Sequence, residues 1–280
     1  MVSLHWDLER ELAARLIATT AESRGAVFAD AYSELYRSTP WLKQAEAVVG
    51  EAEWATKYSY LHGLLPPAPA DVLEVGSGGG GLIAYLSRAG YRCTATDVTD
   101  QRADLLIRQC PGLRWVVADA IWFADAVPPA SQSVVISDQV VEHLHPDDVP
   151  LHLAAVWRAL RPGGRYVLRV PHATAGPGDL SQVFGAASAQ GMHLKEYTYR
   201  EIRLLGRAAG FDRIEGYLLW PDRLRPLAAV FRRAVAGPGV LGYLRSVEAA
   251  AELLPRRLAR TAFLALTLSK NVCAVLHKAA

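Results

Sequence analysis

Apolar positions follow two rhythms along this 280-residue chain. Up to residue 65 they recur three and four apart, which predicts helices over residues 4–20, 26–36 and 45–65. From Asp71 onward, short apolar runs alternate with helix-period stretches, the pattern of a parallel sheet with helices on both faces. The runs predict strands at residues 72–75, 91–96, 113–117, 133–137 and 165–170, a sixth that follows Gly210-Phe211 and reaches Trp220, and a last over 271–276. Helices are expected from Leu82, over 103–109, from Asp147 or Asp148 to Leu160, and over 200–209. The expected fold is a doubly wound α/β sheet with a helical cap (1–65), a core (66–220), a helical insert (221–270) and a closing strand (271–280).

The stretch from Asp71 to Leu86, DVLEVGSGGGGLIAYL, leads a buried strand through a glycine cluster into a helix. Gly76, Gly78, Gly79, Gly80 and Gly81 let the backbone turn sharply and lie against a ligand with no Cβ in the way. The helix behind them points its unpaired N–H groups and positive dipole end at the turn, which suits an anionic or dipolar ligand. Gly76-x-Gly78-x-x-Gly81 also satisfies the dinucleotide fingerprint of NAD enzymes. Asp97, at the end of the second strand, can accept both ribose hydroxyls of an adenosine, and Asp119 follows the third strand. For Asp119 alone, capping of a strand end is a serious competing role; three acids in register with three successive strands are harder to dismiss.

Glu74, two residues before the first glycine, gives E-x-G-x-G-x-G, which resembles motif I of the class I S-adenosylmethionine-dependent methyltransferases. Three further stretches resemble that family: Asp138 to Leu144 (DQVVEHL), the L-x-P-G-G pattern at 160–164, and His193 to Thr198 (HLKEYT) with Ala209-Gly210-Phe211 after the next helix. The resemblance covers residues 71–220 well and the ends loosely. It implies a Rossmann-like sheet of seven strands with the last antiparallel, and a cap that covers the cofactor. It implies S-adenosylmethionine held by Glu74, Gly76, Ser77, Gly78, Gly80, Asp97, Val98, Asp119, Ala120, Asp138 and Gln139, with Glu74 near the methionine end and Asp119 near the adenine amino group. Tyr36 in the cap stretch YSELYRSTPW, Glu142 and Tyr197 are the candidates for contact with a small-molecule acceptor.

The reaction implied needs alignment of donor and acceptor and the handling of one proton. His143, His193 and His172 stand at different strand-end segments, and imidazole alone titrates near neutrality unperturbed. They favour O-methylation of a hydroxyl, with N-methylation of a small amine as the alternative. An NAD-dependent oxidoreductase leaves Glu74, Asp119 and residues 139–143 unexplained; a non-catalytic adenosine-binding protein is the third reading. No Ser-His-Asp order, paired cysteines, H-E-x-x-H or other metal cluster stands out, so no metal is expected.

Charge changes the picture only at the C-terminal end. Net charge is +2, with ten basic and three acidic residues from Pro221 onward against 20 and 25 before it. An acidic core region and a balance near zero argue against nucleic acid. The insert sets Leu227, Val230, Phe231, Val235, Leu241 and Leu244 beside Arg223, Arg225, Arg232, Arg233 and Arg245. Such a basic amphipathic segment can form an acceptor-site wall, a subunit contact in a homo-oligomer, or contact with an anionic membrane or acidic ligand; helices with one buried and one solvated face are the simpler expectation. Cys93, Cys110 and Cys273 are few and unspaced, and the N-terminus carries early charge, so a cytoplasmic location without signal peptide or membrane span is expected.

Overall fold

The computed structural model describes residues 2–41, 51–101, 110, 112–219 and 235–280. The expected helix at 103–109, the first part of that at 45–65, and the insert up to residue 234 lie outside the described residues. Eight strands form one sheet: β1 (Asp71–Val75), β2 (Arg92–Asp97), β3 (Arg114–Val117), β4 (Gln132–Asp138), β5 (Leu160–Pro171), β6 (Arg213–Leu218), β7 (Val235–Gly237) and β8 (Asn271–His277). Their order is β3-β2-β1-β4-β5-β8-β6-β7. The first five are mutually parallel, and β8 enters antiparallel between β5 and β6, pairing Val167 with Val275 on one side and Ile214 with Leu276 on the other. Seven strands are those expected; the eighth, β7, is a three-residue edge strand paired with Gly216–Leu218, too short to leave a periodic signal.

The continuous apolar run of β1 resolves into alternation between two covered faces. Leu73 and Val75 point toward helices α5 (Phe123–Ala126) and α6 (Val149–Ala159), while Val72 joins the layer under α3 (Glu51–Tyr58) and α4 (Gly81–Arg88). Successive side chains of a strand leave on opposite faces, so a strand covered on both sides is apolar at consecutive positions, Glu74 being the exception among the buried positions of β1. β2 starts and ends one residue later than the sequence pattern suggests, which makes Asp97 its last residue. Helices α1 (Val2–Ile17) and α2 (Arg24–Ser38) pack together through Leu12, Leu16, Phe28, Ala31 and Leu35, with Met192 from a distant loop closing that cluster.

In the described part of the insert, α8 (Pro238–Glu252) packs on β6 and on α7 (Tyr199–Ala208), and α9 (Arg256–Thr267) packs on α8. A Cβ on Gly216 of β6 would stand 3.0 Å from the Leu241 backbone, so the glycine permits this helix to lie against the strand. Glu248 of α8 is buried, and its carboxyl oxygens accept the Tyr199 N–H at 2.6 Å, the Arg200 N–H at 3.1 Å and, through Oε2, a 2.9 Å contact with His172 Nε2. One side chain of the insert therefore satisfies orphan donors at the start of α7, beside the Thr198–Glu201 capping box. No helix among the described residues is long and apolar enough to cross a membrane.

Two stability outcomes follow from buried polar groups. Glu248→Ala leaves two buried N–H groups and His172 without their partner, and it should cost ~3–5 kcal/mol in denaturant unfolding. His152 is fully buried, with Nδ1 2.6 Å from the Ala120 carbonyl and Nε2 2.8 Å from the Tyr166 hydroxyl, and burial pushes its pKa down to about 4. Below the ordinary imidazole value the unfolded chain takes up a proton that the native chain refuses. Stability present above pH 6.5 is thus lost as pH falls toward 4, on the order of 3 kcal/mol in all. Urea midpoints measured across that window should fall less steeply for His152→Gln than for the parent chain.

Candidate active site

The carboxyl ends of the parallel strands and helices α1 and α2 enclose a cleft of about 350 Å³. Its floor is the glycine turn, where Gly76, Gly78 and Gly80 take φ of +70°, +52° and +74°. A Cβ on Gly76 would come within 2.5 Å of Val140, so strain and space both demand glycine there. The turn is strapped to the next strand: Ser77 N–H donates to the Thr96 carbonyl at 2.9 Å and Gly78 N–H to Asp97 Oδ2 at 2.7 Å. Asp97 also accepts the Thr99 N–H at 3.3 Å. Burial raises its pKa and these backbone donors oppose that rise. Asp97 and Val98 both line the cleft.

Beneath the turn lies Glu74, buried, with Oε2 lacking any hydrogen-bond partner. Burial holds its pKa well above the usual carboxylate range. A buried acid with one oxygen unpaired is costly, and Glu74 lies behind the cleft surface, not among its lining residues. Asp119 borders the cleft but also does the local work foreseen for it: Oδ1 accepts the Ile121 and Trp122 N–H groups at 2.8 and 2.6 Å. Gln139, at φ +62°, and Ala120 complete this side of the wall. Asp138 is used elsewhere, in a two-pronged pair with Arg169 at 2.5 and 2.6 Å, and is not among the lining residues. Ser77 and Gly80 shape the turn from behind, Gly80 as the residue preceding α4.

At the other end, His143 faces the cleft from the short helical turn Val141–His143. The backbone carbonyl of Glu142 accepts the Leu194 and Lys195 N–H groups at 2.8 and 3.2 Å, which draws the 191–195 loop onto this turn. The ring of His193 consequently stands edge-on to that of His143, centroids 4.9 Å apart, and Tyr32 meets His143 from the cap at 6.2 Å. His143 Nδ1 lies 2.9 Å from the Met192 carbonyl and His193 Nδ1 lies 3.1 Å from Glu196 Oε1. Burial lowers the pKa of His193, but Glu196, Glu142 and Asp179 outweigh it and the net direction is upward. Burial pushes the Glu142 carboxyl up to about 8, against the pull of His193.

His172 stands apart from this group, wholly buried against Glu248 and Phe263, its Nδ1 accepting the Thr174 N–H at 3.1 Å. Its structural ties account for the residue without a role in the cleft. Tyr36 lines the cleft; Tyr197 is fully buried behind it and Glu142 lies beneath its wall. Sequence reasoning missed Glu9, Arg24, Phe28, Tyr32, Met192 and Asp148 as site residues. For Phe28 and Tyr32 the one signal is the aromatic density of the cap. Arg24 and Asp148 form a buried ion pair that pins α2 to the start of α6, and such a pair leaves no motif in either segment. Among the described residues none from the insert lines the cleft, so the expected acceptor-site wall is not formed by residues 235–270.

The fold and the cleft agree with what known proteins share with the chain. A model of the methyltransferase domain family matches residues 49–215. The S-adenosyl-L-methionine-dependent Diels-Alderase iccD of Talaromyces variabilis is 30% identical over 119 residues, 39% of this chain, and the match spans 40% of that protein. Among solved structures, 1,6-didemethyltoxoflavin-N1-methyltransferase of Burkholderia thailandensis, with its substrate and S-adenosylhomocysteine bound, superposes with a TM-score of 0.57 at 21% identity, over 94% of this chain and 92% of that one. A S-adenosylmethionine-dependent methyltransferase of Thermotoga maritima gives 0.52 at 13% identity, over 98% and 99%. At these identities the structures speak for the fold. The glycine turn strapped to Asp97, Glu74 beneath it with one carboxyl oxygen unpaired, and the family match together make the chain a member of the class I S-adenosylmethionine-dependent methyltransferases.

Proposed function

We propose that the chain methylates a hydroxyl group of a small molecule and that the proton leaves toward the His143–His193 pair. The observation that carries this reading is the pairing itself: one imidazole in the cleft wall, the second 4.9 Å behind it and a buried acid below both. A neutral hydroxyl is a poor nucleophile until its proton is lost, and a positioned imidazole contributes typically 10²–10⁴-fold to such a step. S-adenosylmethionine, when bound, supplies a methyl group already activated on a sulfonium. The chain's part is to hold and to exclude. Asp97 would take the ribose hydroxyls, Glu74 the ammonium group, and Asp119 and Ala120 the adenine edge. Phe28, Leu35, Tyr32, Tyr36 and Met192 would wall an apolar acceptor away from water.

Glu9 supports a second acceptor class. Its carboxyl lines the cleft, Oε2 has no partner, and burial pushes its pKa up to about 7. A small amine entering as its ammonium form would find an acid there. Incubation with S-adenosylmethionine and a library of hydroxyl and amine metabolites, read as S-adenosylhomocysteine release, tests both. Turnover confined to amines overturns the hydroxyl reading, and tight NADH binding without S-adenosylhomocysteine binding would contradict both.

Asp97→Asn should weaken S-adenosylhomocysteine binding by roughly 10- to 100-fold in calorimetry, since a charged acceptor typically contributes ~1.5–3 kcal/mol. Part of that loss comes through Gly78, because the same carboxylate holds the turn. His143→Ala and His193→Ala should each lower kcat by ~10²-fold or more while leaving S-adenosylhomocysteine affinity near the parent value. Wild-type turnover in both variants would rule out imidazole as the proton acceptor.

A further inference from the structure

We propose that Glu142, His143 and His193 form a binding site for a divalent transition-metal ion. One possible ligand atom from each side chain lies within 4.8 Å of those of the other two. Metal bonds of about 2.0–2.2 Å set ligand atoms no more than ~4.2 Å apart, so closure on an ion asks for roughly half an ångström of side-chain movement. Glu142 gives the strongest reason to expect an ion. Its side chain is wholly buried, and neither Oε1 nor Oε2 has a hydrogen-bond partner in the protein. An acid placed so deep is expensive unless it is paired or binds a metal.

The surroundings of the two imidazoles match those of metal ligands. Histidines that bind metal commonly donate the other ring N–H to a carboxylate or a carbonyl, which fixes the tautomer. His193 Nδ1 faces Glu196 Oε1 at 3.1 Å, and Glu196 Oε1 is itself held by the Gly178 N–H at 2.6 Å. His143 Nδ1 faces the Met192 carbonyl at 2.9 Å. With Nδ1–H donating to Glu196, Nε2 of His193 carries the lone pair that a metal needs. Two nitrogens and one carboxylate suit zinc, manganese, iron or cobalt better than magnesium or calcium, which prefer all-oxygen shells. An ion reaches the group through the cleft, which His143 lines.

That this ion meets the acceptor rests on the methyl-transfer reading above; that it binds does not. An ion held there would lower the pKa of an acceptor hydroxyl bound to it, and the losses expected of His143→Ala and His193→Ala would then come through the ion as well as through the imidazoles.

The test uses the full chain freed of metal by a chelator, with Zn²⁺ and Mn²⁺ followed by calorimetry and Co²⁺ by visible absorption. One ion per chain is expected, with Co²⁺ showing the bands of a four- or five-coordinate site. Glu142→Gln and His193→Gln should each weaken binding at least ~10-fold. Glu196→Gln leaves all three ligands in place and should weaken it by ~10-fold through the outer hydrogen bond, which keeps the test open should a ligand variant fail to fold. Absence of saturable binding to the parent chain, or binding undiminished in these variants, overturns the site. S-adenosylhomocysteine titrated into the same samples separates the two ideas: its binding without any metal binding sinks the cation site alone, and metal binding without it sinks the methyl-transfer reading alone.

Discussion

Parallel strands bring their carboxyl ends to one edge of a sheet, and the sheet side of the cleft hangs from that edge. β1 delivers the glycine turn, β2 delivers Asp97, β3 is followed by Asp119, and β4 is followed by Gln139 and His143. The parallel register is therefore the constraint on which the site depends, since reversing any one of these strands would carry its residue to the far edge. Asp97 then converts that register into a shaped pocket. Its carboxylate, fixed at the strand end, receives the Gly78 N–H and holds the turn in its left-handed conformations.

A second tie sets the acceptor end. The carbonyl of Glu142 receives two N–H groups from a loop fifty residues onward, and that pair of bonds is what places His193 beside His143. The helical cap completes the wall through Tyr32, Tyr36 and Phe28, and it is held down by the Arg24–Asp148 pair and by Met192 packing among its apolar residues. The site is thus assembled from the ends of four strands, one distant loop and the helical cap.

How much of this is legible in the sequence depends on the range of the interaction. The glycine turn, Glu74, Asp97 and the strand pattern are local, since each follows from residues within about ten positions, and the structure has them where the pattern puts them. Groups whose roles depend on distant partners were not legible. His172 reads in sequence as a third strand-end imidazole after His143 and His193, but a glutamate 76 positions away claims its ring. Asp138 reads as a ligand contact, yet Arg169 of the neighbouring strand takes both of its oxygens. Glu9 and Arg24 gave no signal at all, because a single charged residue on a surface-patterned helix looks the same whether it meets water or the floor of a cleft. The pairing of Glu142, His143 and His193 escapes a motif search for the same reason: the ligands come from two segments with no fixed spacing.

The place of β8 has a consequence for how the chain is made. Its neighbours β5 and β6 are synthesised earlier, yet they pair with β8 and not with each other. During translation the gap between them stays open until residues 271–277 have left the ribosome. Until then two apolar strand edges, with Tyr166, Leu168 and Ile214 among their side chains, are unpaired on a growing chain. The nascent protein can assemble its glycine turn and Asp97 early, but the sheet itself is finished from the inside, last of all.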